Sequence, residues 1–163
     1  MADVRMRGFT QRADVEDVER FLADQARVLE SVAIPLLECV GRVLAEDVTA
    51  QVDVPGFARS AMDGYAVRGE DTFGASDYDP ISLEMVGLSL PGNPFEGRVG
   101  SGQAVRIMTG APVPDGADAV VMAEVCDEVE SRVAVRDAVA PRKNVGAIGE
   151  DVRAGNRLLS RGR

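Results

Sequence analysis

Pro55-Gly56-Phe57-Ala58-Arg59-Ser60-Ala61-Met62-Asp63-Gly64-Tyr65-Ala66-Val67 is the stretch on which the reading of the fold turns. Before it, apolar residues recur at helical spacing. Beyond the Pro55-Gly56 turn signal, that period gives way to short β-rich runs between glycines and prolines. The stretch also sets a hydroxyl, an arginine and a carboxylate beside a glycine in a loop that enters a strand, where a rigid scaffold commonly carries binding groups. Taken alone, Asp63-Gly64 also reads as an ordinary turn pair.

Upstream, Val15, Val18, Leu22, Ala26 and Leu29 repeat every three or four residues, Asp14 suits an N-cap, and Glu16 and Asp17 favour the first turn, so the pattern predicts a helix over 15–30. Pro35 opens a second short helix that Gly41 stops, and Val43–Val48 reads as a strand. Downstream the predicted strands are Tyr65–Val67, Ile81–Gly87, Ala104–Met108, Ala119–Val125 and Arg132–Val135, a small barrel or sandwich of about 85 residues. After Pro141, strands around Asp151-Val152 and at Arg157–Leu159 lack a sheet of their own, and the Val43–Val48 strand is the nearest partner. The expected fold is α+β and mostly β. Residues 1–54 and 141–163 form a discontinuous domain of helical hairpin and strands, and residues 55–140 form an inserted, β-barrel-like domain.

Composition narrows the chemistry. The chain has no histidine, which removes Ser-His-Asp triads, Cys-His pairs and HExxH zinc sites, and leaves carboxylates, hydroxyls, arginines, the single Lys143 and backbone amides. A net charge of −9 without a basic patch disfavours nucleic acid as a partner. No apolar run approaches the roughly 20 residues of a membrane span, and the first 25 residues are unlike a signal peptide, so no membrane association and a cytoplasmic location are expected. Cys39 and Cys126 form no CxxC pair and suggest two reduced, partly buried thiols.

Two further segments could carry a site. Arg106-Ile107-Met108-Thr109-Gly110-Ala111-Pro112-Val113-Pro114 ends a strand in Thr-Gly, where a hydroxyl and exposed amides could hold an oxyanion such as phosphate or molybdate; a simple strand cap reads the same way. Gly149-Glu150-Asp151 sets adjacent carboxylates after a glycine; in a strand they would face opposite ways, so at most one could serve a given site. The nucleotide signatures fail, with no GxxxxGK[ST] and no third glycine after Gly100-Ser101-Gly102.

Taken in order, Cys39-Val40-Gly41-Arg42-Val43-Leu44-Ala45-Glu46-Asp47-Val48, Asp53-Val54-Pro55-Gly56-Phe57, Ser60 through Val67, Arg106 through Pro114 and Gly149-Glu150-Asp151-Val152 resemble the molybdopterin molybdenumtransferase family. That family comprises the bacterial and archaeal MoeA proteins and the gephyrin E domain. The resemblance runs from about residue 12, and Ser-Ala-Met-Asp-Gly-Tyr-Ala and Met-Thr-Gly-Ala-Pro-Val-Pro are its most specific strings. It implies an elongated multidomain homodimer that hydrolyses adenylylated molybdopterin and inserts molybdate with the help of Mg²⁺, downstream of molybdopterin adenylyltransferase. The cleft would lie between the β-rich domain of one subunit and an α/β domain of the other. Carried over by motif, Asp63, Thr109 and Asp151 are the expected catalytic residues, Ser60 and Gly110 contact the cofactor, and Asp63 is the Mg²⁺ ligand.

Two departures stand out. The chain stops at Arg163, where relatives continue into the α/β domain, and it has Gly146 where many relatives carry Arg soon after the Asn corresponding to Asn144. The expectation is therefore the N-terminal part of the transferase, inactive alone. A stand-alone, non-catalytic module pairing with a separate molybdopterin-binding α/β subunit is the alternative, and a β-rich small-molecule sensor is a third reading.

Overall fold

The structure, a computed structural model, describes residues 13–163. The reading of the first residues as unlike a signal peptide lies, for residues 1–12, outside the described residues. The chain divides into two units, one up to Ala45 and the other Glu46–Arg163.

In the first unit, helix α1 spans Val15–Gln25 and is shorter than the predicted 15–30. Asp14 takes the N-cap position in extended conformation, but its side chain makes no capping hydrogen bond. Ala26 is already extended, its amide closing the last turn onto the Leu22 carbonyl. None of the helix residues is buried, so no packing energy extends a helix of only 11 residues past its marginal length. The second predicted helix is a single 3-10 turn, Leu36–Glu38, with Pro35 as its cap. Gly41, at φ 77°, then turns the chain away.

The second unit is built on a six-stranded sheet in the order β6-β3-β5-β4-β8-β7. Its members are β3 (Gly64–Val67), β4 (Ile81–Ser89), β5 (Gln103–Ile107), β6 (Ala119–Met122), β7 (Cys126–Val129) and β8 (Arg132–Val135). All neighbours are antiparallel except β4 and β5. The sheet is apolar on both faces, which is why its central strands read as unbroken runs of valine and alanine. One face packs Tyr65, Val67, Leu83, Ala104, Val121, Val133 and Val135 together. The other packs Ala66, Val99, Val105, Ile107, Ala111 and Val120. Alternate residues of β3 feed the two cores, with Tyr65 and Val67 on one side and Ala66 on the other.

The predicted strand Ala119–Val125 is in fact β6 followed by a 3-10 turn at Ala123–Val125, after which β7 begins at Cys126. The polar Asp127 and Glu128 of this edge strand carry no alternating apolar signal, which hid it from sequence reading. A bulge in β4 between Met85 and Gly87 makes room for a side chain: a Cβ on Gly87 would lie 2.3 Å from the Phe95 ring.

Two short pairings complete the unit. Strand β1 (Val48–Thr49) pairs antiparallel with β10 (Arg157–Leu159), Val48 opposite Leu159. Strand β2 (Arg59–Ser60) pairs with β9 (Val145–Gly146), Arg59 opposite Gly146. Only the last residue of the expected Val43–Val48 strand is extended in a ladder. Asp47, just before it, is turned toward the C-terminal segment, where it accepts hydrogen bonds from the Arg161 amide at 2.7 Å and the Arg157 guanidinium at 3.3 Å. Near Asp151-Val152 there is one bridge, Val54 opposite Val152, in place of a strand.

Candidate functional site

Register alone brings two of the motifs together. Gly64, the first residue of β3, sits opposite Ile107, the last of β5, so Asp63 just before one strand meets Thr109 just after the other at one end of the sheet. The Asp63 carboxylate accepts two hydrogen bonds on Oδ1, from the Thr109 amide and from the Thr109 hydroxyl, each 2.7 Å long. Those two donors, helped by the nearby Arg106 guanidinium, hold the Asp63 carboxyl below the usual carboxylate range against a small opposing effect of burial. Gly64 permits the approach: a Cβ there would lie 1.9 Å from the Val121 carbonyl oxygen of β6.

Ser60 is the hub beside this pair. It is buried, and its hydroxyl donates to the Met62 carbonyl at 2.5 Å and accepts from the Met62 amide, pinning the turn that delivers Asp63. Its backbone clasps the Thr109 turn, with the Gly110 amide donating to the Ser60 carbonyl and the Ser60 amide to the Ala111 carbonyl. Gly110 stands at φ 82°, which a β-carbon would strain. On the far side of β2, the Ala61 amide donates to the Asn144 carbonyl, and the Asn144 side-chain amide donates to the Val120 carbonyl. Asn144 itself has φ 58°, a conformation that asparagine tolerates better than most residues.

These segments enclose a cavity of about 470 Å³ lined by Arg59, Ser60, Ala61, Thr109, Gly110, Asn144, Val145, Gly146 and Glu150. Across it the Arg59 guanidinium meets Glu150 Oε1 through Nε at 3.0 Å and Nη2 at 2.6 Å, and reaches Asp151 Oδ2 at 3.4 Å. The hydrogen bond to Glu150, with charge from both acids, raises the Arg59 pKa beyond its already high ordinary value. Both acids reach one guanidinium because Glu150 and Asp151 lie in a turn after Gly149, at φ 67°, where the opposite-face rule for a strand does not apply.

The structure thus brings Asp63, Thr109, Ser60 and Gly110 into one neighbourhood, and joins Asp151 to it through Arg59. Sequence reading noted the Arg59 guanidinium in the first stretch but assigned no site role to Arg59, Asn144 or Arg106. Arg59 lies in a two-residue strand and Asn144 in a turn, neither long enough to show a period, whereas Arg106 falls inside the predicted strand Ala104–Met108. Arg106 stacks over the Tyr65 ring at 4.9 Å and donates to the Gly64 carbonyl at 3.1 Å. The Tyr65 hydroxyl donates to Glu128, and burial with that hydrogen bond pushes the phenol well above its ordinary pKa. Both cysteines are free, and burial pushes the Cys126 thiol up to about 11, so it is a poor nucleophile at neutral pH.

Among the described residues, no three acidic or sulfur ligands lie together as a metal site. The remaining candidate is Asp63 Oδ2, which accepts no hydrogen bond from the described residues. Mg²⁺ characteristically rests on one or two carboxylates plus phosphate oxygens, so this donor set fits a cation brought with a phosphorylated substrate and not a cage made by the protein.

Comparison with known proteins agrees with the motifs. The model of the MoeA N-terminal region, domains I and II, matches residues 13–163. A molybdopterin molybdenumtransferase 2 of Mycobacterium tuberculosis is 40% identical over 148 residues, covering 91% of this chain and 36% of the relative. A molybdopterin molybdenumtransferase of Staphylococcus epidermidis is 38% identical over 147 residues, covering 90% of this chain and 35% of the relative. The crystal structure of a molybdopterin biosynthesis MoeA protein from Pyrococcus horikoshii superposes with a TM-score of 0.83 at 40% identity, covering 90% of this chain and 38% of that one. The chain spans about a third of the length of the curated relatives it matches. It belongs to the MoeA family and corresponds to that family's N-terminal region.

Proposed function

We propose that this chain is the cleft-lining N-terminal part of a molybdopterin molybdenumtransferase, which inserts molybdate into adenylylated molybdopterin in molybdenum cofactor biosynthesis, and that it has no insertion activity by itself. The observation that carries the reading is the Asp63–Thr109 pair beside the cavity, built from the two motif strings most specific to the family.

Asp63 stays ionised at neutral pH, because its donors favour the charged form. A carboxylate held that low is a weak general base. It suits a fixed negative charge that orients a water molecule or a cation on the adenylate phosphates, while Thr109 fixes its rotamer. Mg²⁺ is proposed to arrive with those phosphates and rest on Asp63 Oδ2, supplying charge neutralisation. Asp151, more exposed and only loosely held by Arg59, orients a polar group of the substrate. Ser60 and Gly110 shape the cavity wall next to the cofactor.

The domain division proposed for the whole region remains 1–54 with 141–163 and 55–140; the pairing of β1 with β10 and the Val54–Val152 bridge support it. A homodimer is also proposed, supported by the apolar Val15, Val18, Phe21 and Leu22 that α1 leaves exposed. Molybdopterin adenylyltransferase is the upstream enzyme in this scheme, and the cytoplasm its location. No helix among the described residues is long and apolar enough to cross a membrane.

The test is Asp63→Asn in a full-length protein carrying this region, with thermal midpoint and molybdenum insertion measured together. An unchanged midpoint with insertion reduced about a hundredfold supports the reading. A lower midpoint with activity per folded molecule preserved returns Asp63 to a structural role.

A further inference from the structure

Glu150 occupies its place in an unusual way. Its Oε1 takes both Nε and Nη2 of Arg59, and its Oε2 accepts the Ala147 amide at 3.1 Å. Three N–H donors from two segments therefore converge on one carboxylate at the wall of the cavity. The ground beneath it is cleared by a glycine: a Cβ on Gly146 would lie 2.8 Å from Glu150 Oε1, 2.9 Å from Oε2 and 3.2 Å from Arg59 Cγ. Gly146 faces Arg59 across the β2–β9 pairing, so this strand pair carries the guanidinium and the vacancy at the same level.

The Ala147 amide is main chain, and the Arg59 guanidinium, its side chain 38% exposed, rises from a residue whose main chain is paired with Gly146. The Glu150 carboxylate ends a flexible side chain that is 34% exposed and leads from a surface turn. Freeing that carboxylate into water costs little, since a partly exposed ion pair is worth little, and leaves the Ala147 amide and Arg59 Nε unpartnered, with Nη2 still 3.4 Å from Asp151 Oδ2.

We propose that the Arg59–Ala147 cradle is an oxyanion-binding subsite, in which Glu150 is a tethered stand-in that an incoming oxyanion of phosphate or molybdate size displaces into solvent. A tetrahedral oxyanion presents two oxygens to the donors now shared by Oε1 and Oε2, and the missing Cβ of Gly146 gives it the room the carboxylate now uses. Tethering makes the site selective. With Glu150 seated, a weakly charged ligand cannot compete, whereas a dianion gains more from the guanidinium than the carboxylate loses. The subsite deepens the proposed function and rests on it only for the part the anion plays in the reaction.

The experiment uses the chain as it is, titrated with inorganic phosphate, with molybdate and with AMP in separate calorimetric runs, thermal midpoints being recorded for every variant. Arg59→Gln is expected to abolish binding of the anion that the wild-type chain takes up. Glu150→Gln, which removes the competitor's charge and keeps its size, is expected to tighten binding on the order of tenfold. Gly146→Ala leaves net charge unchanged but fills the cradle, and is expected to weaken binding. Tighter binding in Glu150→Gln with no effect of Gly146→Ala would reduce the result to general electrostatics and overturn the proposal, as would equal binding by Arg59→Gln and wild type or no binding of any probe to Glu150→Gln. Preference for molybdate over phosphate and AMP identifies the metal oxyanion as the ligand, and the reverse identifies a phosphate group. The variants following this pattern, while Asp63→Asn leaves insertion untouched in the full-length protein, would sink the proposed function and leave the subsite standing.

Discussion

Two carboxylates belong to the site, Glu150 in the cavity wall and Asp63 bonded to the wall residue Thr109, and they are held in opposite ways. Asp63 has a short side chain, precedes a central strand, and takes both its hydrogen bonds from Thr109, which follows the neighbouring strand. Glu150 has a long side chain, sits in a surface turn, and takes its main partner from a guanidinium on a two-residue strand. The first carboxylate is placed by the six-stranded sheet, whose register sets Asp63 beside Thr109. The second is placed by a contact that can open without disturbing either core. A sheet-anchored charge beside the cavity thus differs from an exchangeable one in its wall, and each of the following experiments breaks one and not the other.

The largest effect is expected where the rigid corner meets the sheet. Gly64→Ala sets a Cβ 1.9 Å from the Val121 carbonyl oxygen, and the obstacle is main chain of the paired strand β6, not the end of a flexible side chain. The expected cost is about 3 kcal/mol, the upper end of ordinary overpacking, because main chain must shift to make room. Chemical denaturation of the variant measures it, and a loss under about 1 kcal/mol would show that the β3–β6 spacing is softer than the geometry implies. Ser60→Ala comes next. It removes a buried hydroxyl that serves the Met62 carbonyl and amide in a turn whose other residues are exposed, and a cost of about 1 kcal/mol is expected from the groups left unpaired. Because that turn delivers Asp63, molybdenum insertion in the full-length protein should fall with it; a stability loss without an activity loss would detach Ser60 from the site.

The same contrast explains what was legible beforehand. The rigid side was readable because buried strands announce themselves: Arg132–Val135 falls where the pattern predicted, and β3 and β5 differ by a residue at their ends; the exposed Arg157–Leu159 strand also falls where predicted. Asp63 and Thr109 were found as motif residues, but their contact required the register of β3 on β5, which no local pattern encodes. The exchangeable side was nearly silent. Strands β2 and β9 are two residues each, too short for any period, and Glu150 and Asp151 were assigned to a strand that is a turn. Upstream, the periodicity that extended the helix to residue 30 was real, but with no residue of α1 buried it had no packing to act through, and the helix ends at Gln25.

Acid separates the two corners further. The folded-state pKa of Asp63 lies below its unfolded value, so the stability it contributes is present above the ordinary carboxylate pKa of about 4 and is lost as pH falls through the lowered folded value. Thr109→Val removes the hydroxyl, the first cause of that shift, and keeps the amide. Thermal midpoints recorded across the acid range should therefore fall less steeply for Thr109→Val than for wild type, with the two curves converging at the acid end. Parallel curves would mean that the hydroxyl does not stabilise the charged form.

The smallest effect is expected from Arg59→Gln at neutral pH, and its smallness is the point. The Arg59 and Glu150 side chains are 38% and 34% exposed, and water already solvates much of each charge. A pair of that kind gains little over its separated partners and is screened by salt. The backbone of Arg59 keeps its pairing with Gly146 whatever the side chain, so β2 stays in place. The midpoint should drop slightly in low salt and coincide with that of wild type in high salt, because screening removes in the wild type what the substitution removes in the variant. Glu150→Gln should track it, since each change breaks the same contact from one end. A large, salt-independent drop in Arg59→Gln would instead make the guanidinium a structural pillar as rigid as the Asp63–Thr109 corner, and the distinction between a fixed and an exchangeable charge would fail.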